Sequence, residues 1–118
     1  MDKAEAIRRL NEEFPGKKIV DLPLGVICEV EAAGDNSWSR AVAYIKRSEP
    51  HYHEHTTEWY SVEEGLLGLV VDNEEYALEE GEDAVISPPS VHYAYGDWVR
   101  VRVYTEPAWS AGDHFLVE

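Results

Sequence analysis

The chain carries one dense group of potential metal ligands, His51-Tyr52-His53-Glu54-His55-Thr56-Thr57-Glu58, which is followed by Gly65. This stretch places three imidazoles and two carboxylates within eight residues. Because side chains alternate along a β-strand, His51 and His53 would point to the same face. Imidazole nitrogen and carboxylate oxygen are the usual donors for a first-row divalent metal. The stretch therefore predicts a metal site, although a solvated, histidine-rich turn would have the same composition.

A second segment, which runs from Gly81 to His92, ends in Ser-Pro-Pro-Ser-Val-His. We interpret four residues of the two segments as ligands of one metal ion: His51, His53, Glu58 and His92. In the alternative interpretation His92 is unrelated, and His51, His53 and His55 form a local site on one face of a continuous strand. His55 is then a ligand, whereas in our interpretation it is turned to solvent or supports a ligand from behind.

Residues 2–14 have the pattern of an amphipathic helix. Asp2 can cap its first turn, and Pro15-Gly16 is typical of a helix end. The apolar positions of one face follow a three-four spacing: Ile7, Leu10 and Phe14. We therefore predict one N-terminal helix that packs against the rest of the chain.

The rest of the chain, about residues 18–118, alternates short apolar runs with turn residues. A loop is predicted at 33–36, and Val71-Asp72-Asn73-Glu74 has the composition of a hairpin turn. Roughly ten short strands with a single helix are typical of an all-β barrel or sandwich. The predicted strands lie at 26–31, 38–45, 58–62, 66–71, 74–78, 84–86, 91–95, 99–105 and 115–117.

Length, charge and cysteine content restrict the classes of protein. A chain of 118 residues suits one domain. The formal net charge of -14 would repel nucleic acid and anionic membranes, so neither is expected as a partner. No apolar run approaches the roughly 20 residues of a membrane span, and the N-terminus has no apolar signal-peptide core. Cys28 is the single cysteine, which fits a reducing compartment, so the expected location is cytoplasmic.

The spacing of these residues resembles the two sequence motifs of the cupin superfamily. The first motif reads His-x-His, three or four residues, Glu, six residues, Gly. Its matching residues here are His51, His53, Glu58 and Gly65. The second reads Gly, five residues, Pro-x-Gly, two residues, His, and here it runs from Gly81 to His92, with Ser87 and Pro89 at the proline and glycine positions. The resemblance extends from residue 50 to about residue 96.

This resemblance implies an all-β, double-stranded β-helix, or jelly-roll barrel, in one domain with a short N-terminal α-helix. It also implies a divalent metal inside the barrel, held by the four residues named above: His51, His53, Glu58 and His92. Iron, manganese, nickel, cobalt and zinc all suit these donors. Four ligands would leave one or two positions open for substrate, water or dioxygen on a five- or six-coordinate ion.

Two classes of function remain open. An open metal site favours an enzyme that acts on a small molecule, of the isomerase, dioxygenase or lyase type that the resemblance allows. The alternative is a non-catalytic binding protein in which the metal anchors a sugar or small acid. A transcriptional sensor is not expected, because the chain has no room for a DNA-binding helical module and has the wrong charge. Small cupin barrels commonly pair, so a homodimer is expected.

The strand predicted at 38–45 precedes the ligand stretch and could contribute to a pocket. Trp38, Arg40 and Tyr44 share one of its faces. We expect Trp38 and Tyr44 at the pocket mouth, and Arg40 could contact an anionic substrate. His55 is a further possible pocket residue. His114, near the C-terminus, has no partner nearby in sequence and is interpreted as a surface or edge histidine.

Overall fold

The computed structural model describes residues 1–31 and 37–117, so the loop predicted at 33–36 lies outside the described residues. The described chain contains one helix, α1 (Lys3–Glu13), and a 3₁₀ turn at Ala111–Asp113. The described residues also form ten strands: β1 (Lys18–Leu22), β2 (Gly25–Glu31), β3 (Ser39–Arg47), β4 (His51–Tyr52), β5 (Thr57–Glu64), β6 (Leu67–Val71), β7 (Glu74–Leu78), β8 (Asp83–Ile86), β9 (His92–Glu106) and β10 (Phe115–Leu116).

Helix α1 confirms the predicted N-terminal helix. The side chain of Asp2 caps it by accepting a hydrogen bond from the amide of Glu5 at 2.9 Å. Ala6 and Leu10 are completely buried, in a cluster that also contains Val26 of β2. Helix α1 therefore packs on the sheet through the apolar face that its spacing predicts. In the part of the chain that the structure describes, no helix combines the length and apolar character that crossing a membrane requires.

The long strand β9 organises one antiparallel sheet that contains all ten described strands. It pairs with β3 and β5 along most of its C-terminal part, and with β4 and β6 near its start. Because β9 has different partners along each of its edges, the sheet curls and its strands enclose an interior. The all-β barrel with one short helix is thereby confirmed.

The two strands predicted at 91–95 and 99–105 are in fact one strand, which corrects the prediction. Pairing with β3 continues past a register shift that lies between Tyr95 and Val99. Gly96 permits this irregularity, because a Cβ atom at that position would lie only 2.4 Å from Cγ2 of Val99. The glycine therefore marks a β-bulge inside a continuous strand, where the sequence suggested a break.

The predicted hairpin turn is confirmed between β6 and β7. Val71 pairs with Glu74, so Asp72 and Asn73 form a two-residue connection. Their φ angles are 48° and 70°, which are the left-handed values that the tightest hairpin turns require.

Alternation along β3 determines which of its side chains face the potential ligands. Val42 and Tyr44 are buried with α1 in one apolar cluster. Ser39, Ala41 and Ala43 point to the other side and line a cavity. A second cluster fills the barrel beyond that cavity: Tyr60, Val62, Leu67, Leu69, Leu78, Ile86, Ala94, Val99 and Val101.

Candidate metal centre

Three strands and one loop bring the four predicted ligands together. His51 on β4 lies opposite His92 on β9 in the strand register. Glu58 lies near the start of β5, and His53 lies in the connection between β4 and β5. All four side chains are buried. One potential ligand atom from each lies within 4.8 Å of the others, so the group could hold a metal ion.

Each of the three imidazole rings has one nitrogen committed to the backbone. The Nδ1 atoms bond to carbonyl oxygens: His51 to Glu49 at 2.8 Å, His53 to Asp113 at 2.6 Å and His92 to Ser90 at 3.0 Å. A carbonyl oxygen can only accept, so each Nδ1 must carry the proton and donate it. In a neutral ring Nε2 then holds the lone pair. This arrangement, with a backbone partner behind each ring, is the one that metal-binding histidines usually have.

The Nε2 atoms meet a carboxylate at hydrogen-bond distance. Oε1 of Glu58 lies 3.0 Å from Nε2 of His53 and 2.9 Å from Nε2 of His92. An ionised carboxylate and a neutral Nε2 are both acceptors, so this contact requires positive charge between them. A proton on a ring can supply that charge, and one divalent cation can supply it to all four groups at once. The residues present therefore fit a divalent metal.

Burial and neighbouring groups set the charges of these side chains. Burial, together with the electrostatic effect of the neighbouring His92 ring, lowers the pKa of His51 to about 4, so the His51 ring is neutral at pH 7. Burial alone would raise the pKa of Glu58. Hydrogen bonds with His53 and His92, together with electrostatic attraction to these rings, outweigh burial and lower that pKa to about 2. The site thus offers a neutral nitrogen and an ionised oxygen, which are the states that metal binding requires.

Asp113, from the 3₁₀ turn, holds the loop that carries His53. Its buried carboxylate accepts hydrogen bonds from the amides of Glu54, His55 and Thr56 at 2.8–3.1 Å, and from the Thr56 hydroxyl at 2.9 Å. Burial acts to raise the pKa of this carboxyl group, but these donors lower it overall. Because the Asp113 carbonyl also accepts from His53, one residue fixes both the loop and the ring orientation of a ligand. Sequence reasoning missed this residue.

His114 lies beside the centre, which corrects its interpretation as a surface or edge histidine. Its ring stacks on that of His51 with 4.6 Å between ring centroids, and it is edge-on to His53 at 5.5 Å. Its Nδ1 is buried and has no hydrogen-bond partner among the described residues. It arrives there because β10 pairs with β4, with Leu116 opposite His51. A local sequence pattern carries no signal for this pairing.

His55 is exposed to solvent, unlike the two histidines that precede it. Strand β4 ends at Tyr52, so the chain does not continue in the extended form that would place His55 on the same face as His51 and His53. The fourth member of the buried group is His92. The arrangement favours the two-segment site over the local one.

A cavity of about 770 Å³ opens beside this centre, with His51, Glu58 and His114 in its wall. Arg40 also borders it, but its guanidinium is bonded to Glu31 at 2.6 Å. The other two residues expected at the pocket mouth lie elsewhere. Tyr44 is buried beneath α1, and Trp38 stacks on the ring of Tyr104 at 5.7 Å. The alternation along β3 was predicted correctly, but the opposite face, with Ala41 and Ala43, borders the cavity.

Comparison with known proteins agrees with this geometry. The family model Cupin_2, described as a cupin domain, matches residues 43–97, which include all four predicted ligands and a little under half of the chain. Comparison with curated protein sequences gave no significant match.

Solved structures share the fold at low sequence identity. Pac13, a nucleoside dehydratase from Streptomyces, of which a variant was solved with uridine, is 12% identical, with a TM-score of 0.81 over 89% of this chain and 88% of that chain. KdgF from Halomonas sp. is 17% identical, with a TM-score of 0.69 over 79% and 88%. Oxalate decarboxylase from B. subtilis is 14% identical, with a TM-score of 0.76 over 88% of this chain and 31% of that one. The family match, this shared fold and the spacing of the four buried donors together support a small protein of the cupin superfamily.

Proposed function

We propose that this chain is a metal-dependent enzyme that acts on a small molecule in the cavity beside the four buried donors. The observation that carries the proposal is the convergence of three imidazoles and one carboxylate at the wall of that cavity. Purely structural metal sites are closed by their protein ligands. Here His51 and Glu58 belong both to the donor group and to the cavity wall, so an ion that they held would border the space for a substrate.

A divalent ion in this position would polarise a bound carbonyl group or lower the pKa of a bound water. The residues of the chain prepare the position for it. His51 stays neutral, Glu58 stays ionised, and the carbonyl partners of the three Nδ1 atoms orient the rings. Iron, manganese, nickel, cobalt and zinc are all compatible with three nitrogens and one oxygen.

The fold neighbours support an enzymatic role. Pac13 is a nucleoside dehydratase, and the B. subtilis protein is an oxalate decarboxylase. These two activities differ although the fold is shared, so the fold supports small-molecule chemistry without selecting one reaction. For this chain we propose an isomerase, dioxygenase or lyase reaction, and the choice among them depends on measured turnover.

The test is turnover by the full chain after removal of metal with a chelator and reloading with one metal at a time. A substrate panel is followed by dioxygen consumption, by absorbance for elimination and by chromatography for isomerisation. We expect one ion per chain, and activity with at least one metal. Glu58→Gln preserves the shape of the side chain but removes its charge, so it should abolish both the binding of the ion and the activity. His55→Ala is the matched control and should preserve both.

Each outcome of this test has a definite meaning. Metal-dependent turnover that Glu58→Gln abolishes would support the proposal. Binding of one ion and of a small molecule without turnover would replace it with the non-catalytic binding protein. A chain that binds no ion under any of these conditions would contradict the metal centre itself.

A further inference from the structure

The walls of the cavity away from the metal centre are largely apolar. The β1–β2 hairpin forms one side, and β3 and β9 form the floor. The apolar side chains that line these walls include Val20, Leu22, Leu24, Ile27, Ala43 and Val103. A volume of about 770 Å³ is within the range of pockets that enclose a small organic molecule. Small side chains at Ala41 and Ala43 leave that space open above the floor.

Large apolar side chains stand exposed around the mouth of this cavity. Leu24 is 43% exposed, Trp109 is 39% exposed and Leu116 is 58% exposed, and all three line the cavity. Apolar side chains grouped around one concave surface, unlike single ones scattered over a protein, are typical of a binding site. An apolar ligand would remove part of this surface from water, which is the favourable contribution that such a wall can offer.

The charged side chains of the wall do not suit an anion. Four glutamates border the cavity, and the two arginines there are already engaged. Arg40 is bonded to Glu31, and the Arg47 guanidinium lies over the ring of Tyr93 at 5.2 Å from its centroid. A divalent ion would offset the excess of acidic groups, which leaves the site best matched to a ligand without net charge.

From these walls we infer that the cavity binds an uncharged, largely apolar small molecule, rather than a phosphorylated or carboxylated one. The inference rests on the proposed function, because it names the class of substrate for the same cavity. It also reverses the expectation that Arg40 would contact an anionic substrate, because that guanidinium is already paired with Glu31.

The first experiment compares two probes that share one ring system and differ in charge. The uncharged dye Nile red reports occupancy of the full chain, loaded with Zn²⁺, by its fluorescence. 2-Naphthol and 2-naphthyl phosphate then compete with the dye. We expect 2-naphthol to bind about tenfold more tightly or better, a difference of about 1.4 kcal/mol. Equal binding, or tighter binding of the phosphate, would overturn the inference.

Two leucines give a matched pair of variants that locates the probe. Leu116 and Leu66 are both 58% exposed, but only Leu116 lines the cavity. Leu116→Asp should weaken Nile red binding severalfold, and Leu66→Asp should leave it unchanged. Leu24→Asp, in the connection between β1 and β2, is a second cavity variant with the same expectation. Equal effects at Leu66 and at the two cavity positions would show that the dye binds elsewhere, and would overturn the inference.

A further variant distinguishes failure of this inference from failure of the proposed function. His92→Ala removes a donor from the metal centre and does not touch the apolar walls. Preference for 2-naphthol should therefore persist in His92→Ala, even though metal is lost. Probe discrimination without metal-dependent turnover would uphold the inference and reject the enzyme. Metal-dependent turnover with no discrimination between the two probes would reject the inference alone.

Discussion

The backbone oxygen of Asp113 accepts a hydrogen bond from Nδ1 of His53 at 2.6 Å, across 60 positions of sequence. The same residue uses its carboxylate to accept the amides of the loop that follows His53. The 3₁₀ turn near the end of the described chain therefore supports the candidate metal centre. Its integrity depends on a contact that joins the C-terminal segment to the ligand loop.

Replacement of Asp113 should loosen this loop. Asp113→Ala leaves three amides and one hydroxyl without their acceptor, so we expect a loss of about 2–4 kcal/mol in the free energy of unfolding and weaker metal binding. Asp113→Asn should lose less stability than Asp113→Ala, because the side-chain amide oxygen can still accept hydrogen bonds from the loop. Urea unfolding and a competing chelator measure the two effects. Asp97→Ala, at a side chain that is 87% exposed, is the control, and equal unfolding midpoints for Asp113→Ala and Asp97→Ala would contradict this role.

The stability of the metal-free chain should depend on pH through His51. Burial lowers its pKa to about 4 in the folded chain, whereas an unfolded histidine titrates near pH ~6.5. Between these values the unfolded chain takes up a proton that the folded chain does not. The fold therefore loses stability as pH falls from about 6.5 to about 4, by up to about 3 kcal/mol.

His53 acts in the opposite direction. Burial lowers its pKa, but the hydrogen bonds and charges of Glu58 and Asp113 together outweigh burial and raise that pKa overall. The stabilisation that His53 contributes to the fold is present below pH ~6.5 and disappears as the pH rises through the pKa of His53 in the folded chain.

The effect of His51 on stability is isolated by comparing the wild-type chain with His51→Gln, whose side chain does not titrate. Both are unfolded with urea in the presence of a chelator at pH 7 and at pH 4.5. The wild-type chain should lose more stability than the variant, and equal losses would show that His51 is not responsible.

Arg100 should hold α1 against the barrel. Its side chain is only 12% exposed and bonds to Glu13 of α1 at 2.6 and 2.7 Å, and to Glu63 of β5 at 2.9 Å. Because Glu13 is partly solvated, we expect Arg100→Ala to cost about 1–3 kcal/mol and to speed hydrogen exchange in α1. The exposed Arg102 gives the control Arg102→Ala. If α1 amides exchange at the same rate in both variants, the ion pair does not anchor the helix.

Those parts of the fold and of the candidate site that depend on short-range spacing could be predicted from the sequence. His51, His53 and Glu58 lie within one stretch, and the hairpin at Asp72 and Asn73 depends on two residues that tolerate left-handed φ. His92 could be added because its spacing from Gly81 resembles a known motif. In these places local geometry and family pattern give the same answer.

The remaining features depend on contacts between distant segments. Asp113 and His114 reach the centre only because β10 pairs with β4, and a two-residue strand has no periodicity to detect. The alternation of Tyr44 and Ala43 separates two faces of β3, but only the position of α1 decides which face is covered and which borders the cavity. The sequence shows that Trp38 and Tyr44 share one face of β3, but it does not show that this face points away from the cavity.

The comparison of His92→Ala with His55→Ala tests the central claim most directly. His92 contributes a buried nitrogen 2.9 Å from Glu58, whereas His55 is exposed. The measurement is the affinity for Zn²⁺ or Co²⁺ in competition with a chelator, with circular dichroism to confirm folding. Loss of His92 should weaken binding by more than the 10–100-fold that is typical when a residue behind a ligand is changed, and loss of His55 should have little effect. Full affinity in His92→Ala together with abolished binding in His55→Ala would contradict the metal centre described above.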